Sequence, residues 1–302
     1  MAHSAKIQPV RVQTKDLHLS GLLAVPEGTD ESAKESSRGL IVALHGGGYS
    51  AGYWNCPVDG ASLLELGAHL GFHVLALDRP GYGAAEQFDP SRLRLAAQVE
   101  LLFDAIEAWE AKSRFHGPTF IIGHSIGGML ALLMAAHVRG TRLSGIDVLG
   151  VPLRFSTNAS GDEVQSWQTG QSHLPVLRED LRKSLLFGPP HTYSAAADEY
   201  DRTLVRPMPA TEYLDGITLP GTWERVLPSI KTPVQFTSAE LETMQITGSS
   251  VLDEVRQLLR ASIHCVTHLQ RASGHNASTH RVARAYHLRA IAFFEECRAL
   301  GE

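Results

Sequence analysis

The stretch Gly123-His124-Ser125-Ile126-Gly127-Gly128 decides the fold of this chain. It follows an apolar, β-branched run at 119–122 and leads into 129–136, a strong helix former. A G-x-S-x-G sequence between a strand and a helix is typical of a nucleophile elbow, in which a tight turn lifts one serine hydroxyl above the sheet edge. The glycines are needed because that turn crowds its neighbours. Ser125 is therefore the candidate nucleophile, and the alternative is an ordinary serine in a glycine-rich turn.

Two other predicted strands end in glycine-rich turns. The apolar run 40–44 ends in His45-Gly46-Gly47-Gly48, and the run 74–77 ends in Asp78-Arg79-Pro80-Gly81-Tyr82-Gly83. A glycine run after a buried strand leaves backbone N–H groups free to face a substrate oxyanion. In order and spacing, these two turns and the serine motif resemble those of the α/β-hydrolase superfamily. The likeness extends from about Leu17 to the C-terminal helix.

The resemblance implies an α/β-hydrolase fold, with a mostly parallel eight-stranded sheet flanked by helices and a helical lid inserted after the sixth strand. The residue pattern agrees, since short apolar strands alternate with longer helical segments from Gly39 onward,. Residues 10–14 and 17–25 alternate like a hairpin,. Strands are predicted at 40–44, 73–77, 118–122, 144–149, 233–237 and 263–268, and helices at 59–70, 91–113, 126–138, 249–260 and 278–299.

The alternation of strands and helices stops between Leu149 and Pro233. A loop of that length without structure is anomalous in a compact domain, so the segment should form its own element, with short helices at 176–187 and 194–204,. In capped α/β-hydrolases, the insertion at this point forms a lid over the nucleophile. The chain then divides into a first core part (1–151), a lid (152–228) and a second core part (229–302). The alternative is a helical decoration elsewhere on the surface.

A serine hydroxyl becomes nucleophilic when a base takes its proton, and the base needs an orienting carboxylate. In this family the chain order is serine, acid, histidine. His275 lies in a Gly-His loop after the last predicted strand and is the candidate base. For the acid, the family pattern of a small residue, two variable positions and a carboxylate maps onto Ala239 and Glu242, with Glu240 as the second choice. The loop holds no aspartate, the commonest acid, and if both glutamates are solvated His275 has no orienting partner.

The remaining site residues follow from the glycine run and the elbow. The N–H groups of Ile126 and Gly47 are the expected oxyanion-hole donors, with Gly48 as the nearest substitute for Gly47,. Three consecutive glycines without such a use would be an entropic liability. Tyr49, Tyr53 and Trp54 follow directly and are candidate substrate-binding residues, although they could equally pack against the lid.

Two alternative chemistries have weaker support in the sequence. Cys56 is a conceivable nucleophile, but it lies outside any elbow. His264, His268, His275 and His280 form a loose group that lacks the helix-face pair and carboxylate of a metal site,. We therefore expect neither a metal nor an organic cofactor.

Composition excludes some classes of partner. The 302 residues carry a net charge of -5 without a basic block, so neither nucleic acid nor an anionic membrane is an expected partner,. The longest apolar run covers about half of a membrane span, and the first residues lead to no apolar signal core,. Cys56, Cys265 and Cys297 match neither a zinc spacing nor a disulfide framework, which favours reduced thiols in the cytoplasm,. The sequence gives no indication of oligomeric state.

Serine at the elbow argues against haloalkane dehalogenases and epoxide hydrolases, which resemble this chain but carry a carboxylate there. The resemblance implies a serine hydrolase that cleaves an apolar carboxylic ester, lactone or thioester through a Ser-His-Glu triad and an acyl-enzyme. Its partner would be a small apolar acyl substrate. An acyltransferase, or a carbon–carbon or amide hydrolase, would use the same triad. A non-catalytic ligand-binding protein of the same fold is the alternative of a different class.

Overall fold

The computed structural model describes residues 5–26, 37–58, 60–156 and 171–301. Its strands form where apolar and β-branched side chains are concentrated, as strands favour. In chain order they are β1 (Ile7–Gln13), β2 (His18–Ala24), β3 (Gly39–Leu44), β4 (Phe72–Leu77), β5 (Thr119–His124), β6 (Leu143–Leu149), β7 (His173–Leu174), β8 (Met208–Pro209), β9 (Val234–Ala239) and β10 (Cys265–Gln270).

Eight of these strands form one sheet in the order β1-β2-β4-β3-β5-β6-β9-β10, and β7 pairs with β8 separately. The β1–β2 and β2–β4 pairs are antiparallel, whereas β4, β3, β5, β6, β9 and β10 pair in parallel. This confirms the predicted mostly parallel eight-stranded sheet. Because the carboxyl ends of parallel strands meet at one edge, the segments after β3, β5, β9 and β10 converge there.

The helices begin and end as follows: α1 (Leu63–His69), α2 (Leu95–Ser113), α3 (Ile126–Ala136), α4 (Glu179–Arg182), α5 (Ala195–Leu204), α6 (Ala210–Thr218), α7 (Trp223–Val226), α8 (Ser249–Leu258) and α9 (Ala283–Gly301). One core cluster packs α2, α3 and α8 on one face of the sheet, and another packs α1 and α9 on the opposite face. Every residue of β3, β4 and β5 is buried, which explains their continuous apolar runs,. Within the described ranges, no helix has the length and apolar character needed to cross a membrane.

The segment 152–228, here called the insert, leaves the sheet after β6 and returns at β9. Its described residues, 152–156 and 171–228, contain β7, β8 and α4 to α7. The helix predicted at 176–187 begins later, at Glu179. Its α-helical part, α4, ends at Arg182, and the chain continues as a π-helical turn, Lys183–Phe187, that ends before Gly188. Gly188 adopts φ +80°, a conformation that favours glycine, and two prolines follow it,.

Several predicted helix boundaries shift by a few residues. The last helix begins at Ala283 instead of 278, since Ala277–Thr279 form a separate 3-10 turn. Similarly, α2 begins at Leu95 because Pro90–Arg92 form a 3-10 turn of their own. The sequence from Pro26 to Arg38 is polar and rich in glutamate and serine, which predicts a surface loop, and most of it lies outside the described residues.

A buried carboxylate joins the sheet to the C-terminal helix. Asp147 of β6 is fully buried, and Tyr286 of α9 donates a hydrogen bond of 2.6 Å to its Oδ1. The amide of Gln235 in β9 donates to its Oδ2. Burial raises the pKa of Asp147 to about 6, although both hydrogen bonds act in the opposite direction.

Asp147→Asn is expected to flatten the pH dependence of stability. An unfolded aspartate has a pKa of about 3.9, so above that value the folded protein binds the extra proton. The free energy of unfolding then falls as the pH rises through the folded pKa of about 6,. Asparagine does not titrate. Its Oδ1 can accept the Tyr286 hydroxyl proton, and its Nδ2 can donate to Gln235 once that amide turns over to present its oxygen,. Urea unfolding between about pH 4 and about pH 7 measures the slope, with exposed Asp16→Asn as the control. Equal slopes for wild type and Asp147→Asn would contradict this assignment.

Candidate active site

Ser125 lies at the sharp turn between β5 and α3, with φ +53° and ψ −118°. The two glycines of the motif permit close packing, since a Cβ on Gly123 would lie 2.4 Å from the Gly127 carbonyl oxygen. A Cβ on Gly127 would lie 2.2 Å from the Leu44 carbonyl oxygen at the end of β3. The Ser125 N–H donates to Leu149 O at 2.8 Å. The turn is therefore tight on every side, as the sequence motif predicts.

His275 and Glu242 are in direct contact. His275 Nδ1 lies 2.6 Å from Glu242 Oε2, and because a carboxylate only accepts, Nδ1 carries the proton,. The Glu242 side chain is fully buried. Its Oε1 accepts the N–H groups of Thr243 (3.1 Å) and Met244 (3.2 Å), and its Oε2 also accepts Gln245 Nε2 at 3.0 Å. Three donors thus hold one buried carboxylate against the imidazole, which donates a fourth hydrogen bond.

Glu240 points elsewhere. One of its carboxylate oxygens pairs with the Arg271 guanidinium, and the other accepts the Ala272 N–H at 2.9 Å. These two partners, the Ala272 N–H above all, lower the pKa of Glu240. Of the two candidate acids, the structure brings only Glu242 to His275.

His124, the residue before Ser125, supports the loop that carries His275. Its Nε2 lies 3.0 Å from the His275 carbonyl oxygen, which only accepts, so Nε2 carries the proton. The His124 ring meets the His275 ring edge-on at 4.7 Å and stacks on Tyr53 at 4.5 Å. Burial holds the pKa of His124 well below its usual value, which keeps the ring neutral. The motif contained this residue, but nothing in the sequence pointed to its contact with His275.

The candidate oxyanion residues differ in what their N–H groups do. The Gly48 N–H donates to the Tyr82 hydroxyl at 3.0 Å and is therefore already engaged. Gly47 and Ile126 line the same cavity as Ser125 and His275. Ile126 opens α3, whose first N–H groups have no partner within the helix,.

The three candidate substrate-binding aromatics separate into two groups. Tyr49 lines the cavity, and its hydroxyl accepts a hydrogen bond of 2.8 Å from Asn276 Nδ2. Tyr53 and Trp54 are fully buried and lie outside the cavity lining, because the 3-10 turn Ala51–Asn55 directs them into the core. There Tyr53 packs on His124. Only Tyr49 is in a position to contact a ligand in this cavity.

The two alternative chemistries find no support in the geometry of the described residues. Cys56 is fully buried and is not part of the cavity lining. His264 contacts Glu296, and the His280 ring accepts the Gly274 N–H at 3.2 Å. Across the ranges that the structure covers, histidine, cysteine and acidic side chains form no group of three that could hold a metal ion.

The cavity above Ser125 has a volume of about 380 Å³ and a mostly apolar lining. The core contributes Ile126 and Met129. The insert contributes many more apolar side chains, among them Leu174, Val176, Leu186, Val205, Met208 and Ile217. The insert therefore forms much of the wall around the serine.

A family model described as "Alpha/beta hydrolase family" matches residues 41–290. The chain belongs to the alpha/beta hydrolase family. It is 26% identical over 221 residues to phospholipase YtpA of Bacillus subtilis (strain 168), across 71% of this chain and 77% of that protein. The segments that the family shares thus include the serine turn and the His275 loop.

Solved structures show the same α/β-hydrolase fold at lower identity. A thermostable carboxyl esterase from Bacillus coagulans superposes with a TM-score of 0.66 at 18% identity, covering 97% of this chain and 99% of that one. A putative lipase from Acinetobacter baumannii AYE gives a TM-score of 0.66 at 19% identity, covering 97% and 92%. These similarities establish the fold.

Ser125→Gly is expected to be more stable than Ser125→Ala. Both variants lose the hydroxyl, but only alanine keeps a Cβ at φ +53° and ψ −118°. Such strain costs about 1–3 kcal/mol. Glycine relieves this strain, but its greater flexibility in the unfolded chain offsets about 0.5–1 kcal/mol of the relief. The free energy of unfolding measured in urea should be higher for Ser125→Gly than for Ser125→Ala by about 1 kcal/mol. The control is Ala108→Gly, within α2, which should instead lower the free energy of unfolding by about 1 kcal/mol relative to wild type. Alanine proving the more stable at position 125 would remove the strain argument.

Proposed function

We propose that this α/β-hydrolase cleaves an apolar carboxylic ester, lactone or thioester with Ser125 as nucleophile, His275 as base and Glu242 as orienting acid. The observation that carries the proposal is the 2.6 Å contact between His275 Nδ1 and buried Glu242, at a cavity that Ser125 and His275 both line. The names of the phospholipase and carboxyl esterase relatives support acyl-ester chemistry.

In the first half-reaction, His275 Nε2 takes the Ser125 hydroxyl proton while Oγ attacks the substrate carbonyl carbon. The carbonyl π electrons move to oxygen and form a tetrahedral oxyanion. When that intermediate collapses, the bond to the leaving alcohol or thiol breaks, and His275 donates its proton to the leaving group. Glu242 holds the Nδ1–H tautomer and stabilises the imidazolium. The product of this step is an acyl-Ser125 ester.

The second half-reaction repeats the same proton transfers with water. His275 Nε2 removes a proton from a water molecule as its oxygen attacks the acyl carbon. Collapse of the second tetrahedral intermediate returns the proton to Ser125 Oγ and releases the carboxylic acid. Ser125 and then water serve as nucleophile and His275 serves as base, so neither half-reaction calls for a metal or an organic cofactor.

The oxyanion in both intermediates needs two hydrogen-bond donors. We assign these to the N–H groups of Gly47 and Ile126, which line the cavity together with Ser125,. Gly48 is the poorer choice, since its N–H is bonded to Tyr82. The dipole of α3 adds favourable potential at Ile126.

We further propose that the insert, 152–228, is a lid over the serine, with 1–151 and 229–302 forming the two parts of the core. The support is the apolar wall that the insert contributes to the cavity. Contacts that dock the insert on the core include the hydrogen bond of 2.9 Å that Tyr200 Oη donates to Gly52 O and the pairing of Glu212 with Arg79.

Turnover and covalent labelling test the triad. Ser125→Ala should abolish labelling by a fluorophosphonate and lower kcat on a nitrophenyl ester by about 10⁶-fold. Glu242→Gln should lower kcat by about 10⁴-fold, because the amide favours the wrong histidine tautomer. Glu240→Gln is the matched control, since its partners are Arg271 and Ala272, and it should retain wild-type kcat. Labelling that survives Ser125→Ala, or the reverse ranking of the two glutamates, would overturn the assignment.

Acyl-chain dependence tests the substrate class. Nitrophenyl esters of medium chain length should show a higher kcat/KM than the acetate, because each methylene buried against Leu174 or Ile217 contributes about 0.8 kcal/mol,. One or two such methylenes should raise kcat/KM by about 10-fold. The rate should persist in a chelator. A strict preference for acetyl or charged esters, or loss of activity on chelation, is the contrary outcome.

A further inference from the structure

Arg79, in the turn after β4, lies beneath the loop His45–Gly48, here called the glycine loop. Its side chain is fully buried. Its Nε donates to His45 O at 2.8 Å, and its Nη2 donates to Gly46 O at 3.1 Å. One guanidinium thus holds two successive carbonyl groups of the glycine loop from the core side.

The His45 ring holds the same loop. Its Nε2 accepts the Arg79 backbone N–H at 3.1 Å, so the proton lies on Nδ1,. That Nδ1–H donates to Gly46 O at 2.8 Å. Burial holds the pKa of His45 well below its usual value, and the ring stays in this neutral tautomer. Gly46 O therefore receives two hydrogen bonds, from His45 and from Arg79.

This arrangement determines the direction of the Gly47 N–H. The Gly46–Gly47 peptide is trans, and in a trans peptide the N–H points opposite to the C=O,. Because Gly46 O faces Arg79 in the core, the Gly47 N–H faces the other way. On that side Gly47 lines the cavity with Ser125. The core-side contacts of Gly46 thus direct the Gly47 N–H into the cavity.

The insert supplies the countercharge. Glu212, in α6, is fully buried and accepts both terminal nitrogens of Arg79, at 2.6 and 2.9 Å. Tyr82 Oη donates to Glu212 Oε1 at 2.7 Å and accepts the Gly48 N–H at 3.0 Å. Burial raises the pKa of Tyr82 well above its usual value, so the phenol remains a donor. Gln98 Nε2 adds a hydrogen bond of 3.0 Å to Glu212 Oε2.

We propose that Glu212 is a positioning residue for the oxyanion hole. It acts through Arg79 on the peptide before Gly47 and through Tyr82 on the peptide after it. The proposal rests on the proposed serine-hydrolase function, and it means that the insert completes the catalytic site in addition to covering it. Met208, also in the insert, packs directly against the glycine loop, since a Cβ on Gly47 would lie 2.4 Å from its Sδ.

Two substitutions test this positioning role. Tyr82→Phe breaks the link between Glu212 and the Gly48 N–H without changing any charge, and kcat on a nitrophenyl ester should fall by about 10-fold with little change in KM. Glu212→Gln also leaves Arg79 without a countercharge, and kcat should fall by about 100-fold. If Glu212→Gln fails to fold, Tyr82→Phe decides alone.

The control variant is Asp215→Asn, on the same helix. The Asp215 carboxylate accepts the Leu95 N–H at 2.8 Å and pairs with Arg94 at 2.7 Å, away from the glycine loop. Asp215→Asn should lower thermal stability while leaving kcat and KM at their wild-type values. It therefore separates loosened docking of α6 from misdirection of the oxyanion donors.

Inhibitor affinities provide a readout that loosened packing does not reproduce. A trifluoromethyl ketone forms an anionic adduct with the serine and needs the oxyanion donors, whereas the corresponding alcohol binds without charge. In Tyr82→Phe, the inhibition constant of the ketone should rise in proportion to the loss of kcat/KM, and that of the alcohol should stay constant. Equal weakening of both inhibitors, or kinetics identical to Asp215→Asn, would refute the positioning role. Absence of Ser125-dependent turnover in the wild type would instead refute the proposed function.

Discussion

The backbone of Ser125, at φ +53° and ψ −118°, is the constraint on which the rest of the site depends. A side chain in this region costs about 1–3 kcal/mol, so the surrounding structure must hold it. Every residue of β5 is buried, and the Ser125 N–H is bonded to the end of β6. Gly127 lets α3 approach the end of β3. The same packing that fixes the serine therefore brings the glycine loop and the start of α3 to one edge of the sheet.

Two buried carboxylates support this site and are stabilised in different ways. Backbone N–H groups, Gln245 and the imidazole surround Glu242, while a guanidinium, a phenol and an amide surround Glu212. Burying a charge costs several kcal/mol unless its partners replace water. Replacing such a pair with apolar residues is often neutral for stability. Glu242 is directed at His275, and Glu212 is directed at Arg79, which holds the glycine loop. Function explains this geometry better than stability does.

The sequence alone predicted those parts of the site whose geometry depends on residues that are close together in the chain. The strand–turn–helix around Ser125 and the loop of His275 are of this kind. Glu242 and Glu240 share one turn, and only the folded path that presents the Thr243 and Met244 N–H groups separates them. Tyr53 follows the glycine loop closely in sequence, yet a 3-10 turn directs it into the core. The sequence does not point to Glu212, because its partner Arg79 is 133 residues away and no helix is predicted around it.

The buried pairs also restrict how substrate can reach the serine. On the His275 side, Arg182 of the insert pairs with Asp201, and Asn276 Nδ2 lies 3.4 Å from that aspartate and 2.8 Å from Tyr49 Oη. Arg182 and Asp201 both belong to the insert and would move together. Lifting the insert as one flap would break the Asn276–Asp201 contact and take Glu212 away from Arg79. A buried guanidinium without its countercharge costs several kcal/mol. Val176 and Ile217 both line the cavity and are each 42% exposed, so the cavity meets the surface beside them. Passage beside either side chain leaves the Arg79–Glu212 pair and the Asn276–Asp201 contact intact and is the less costly route.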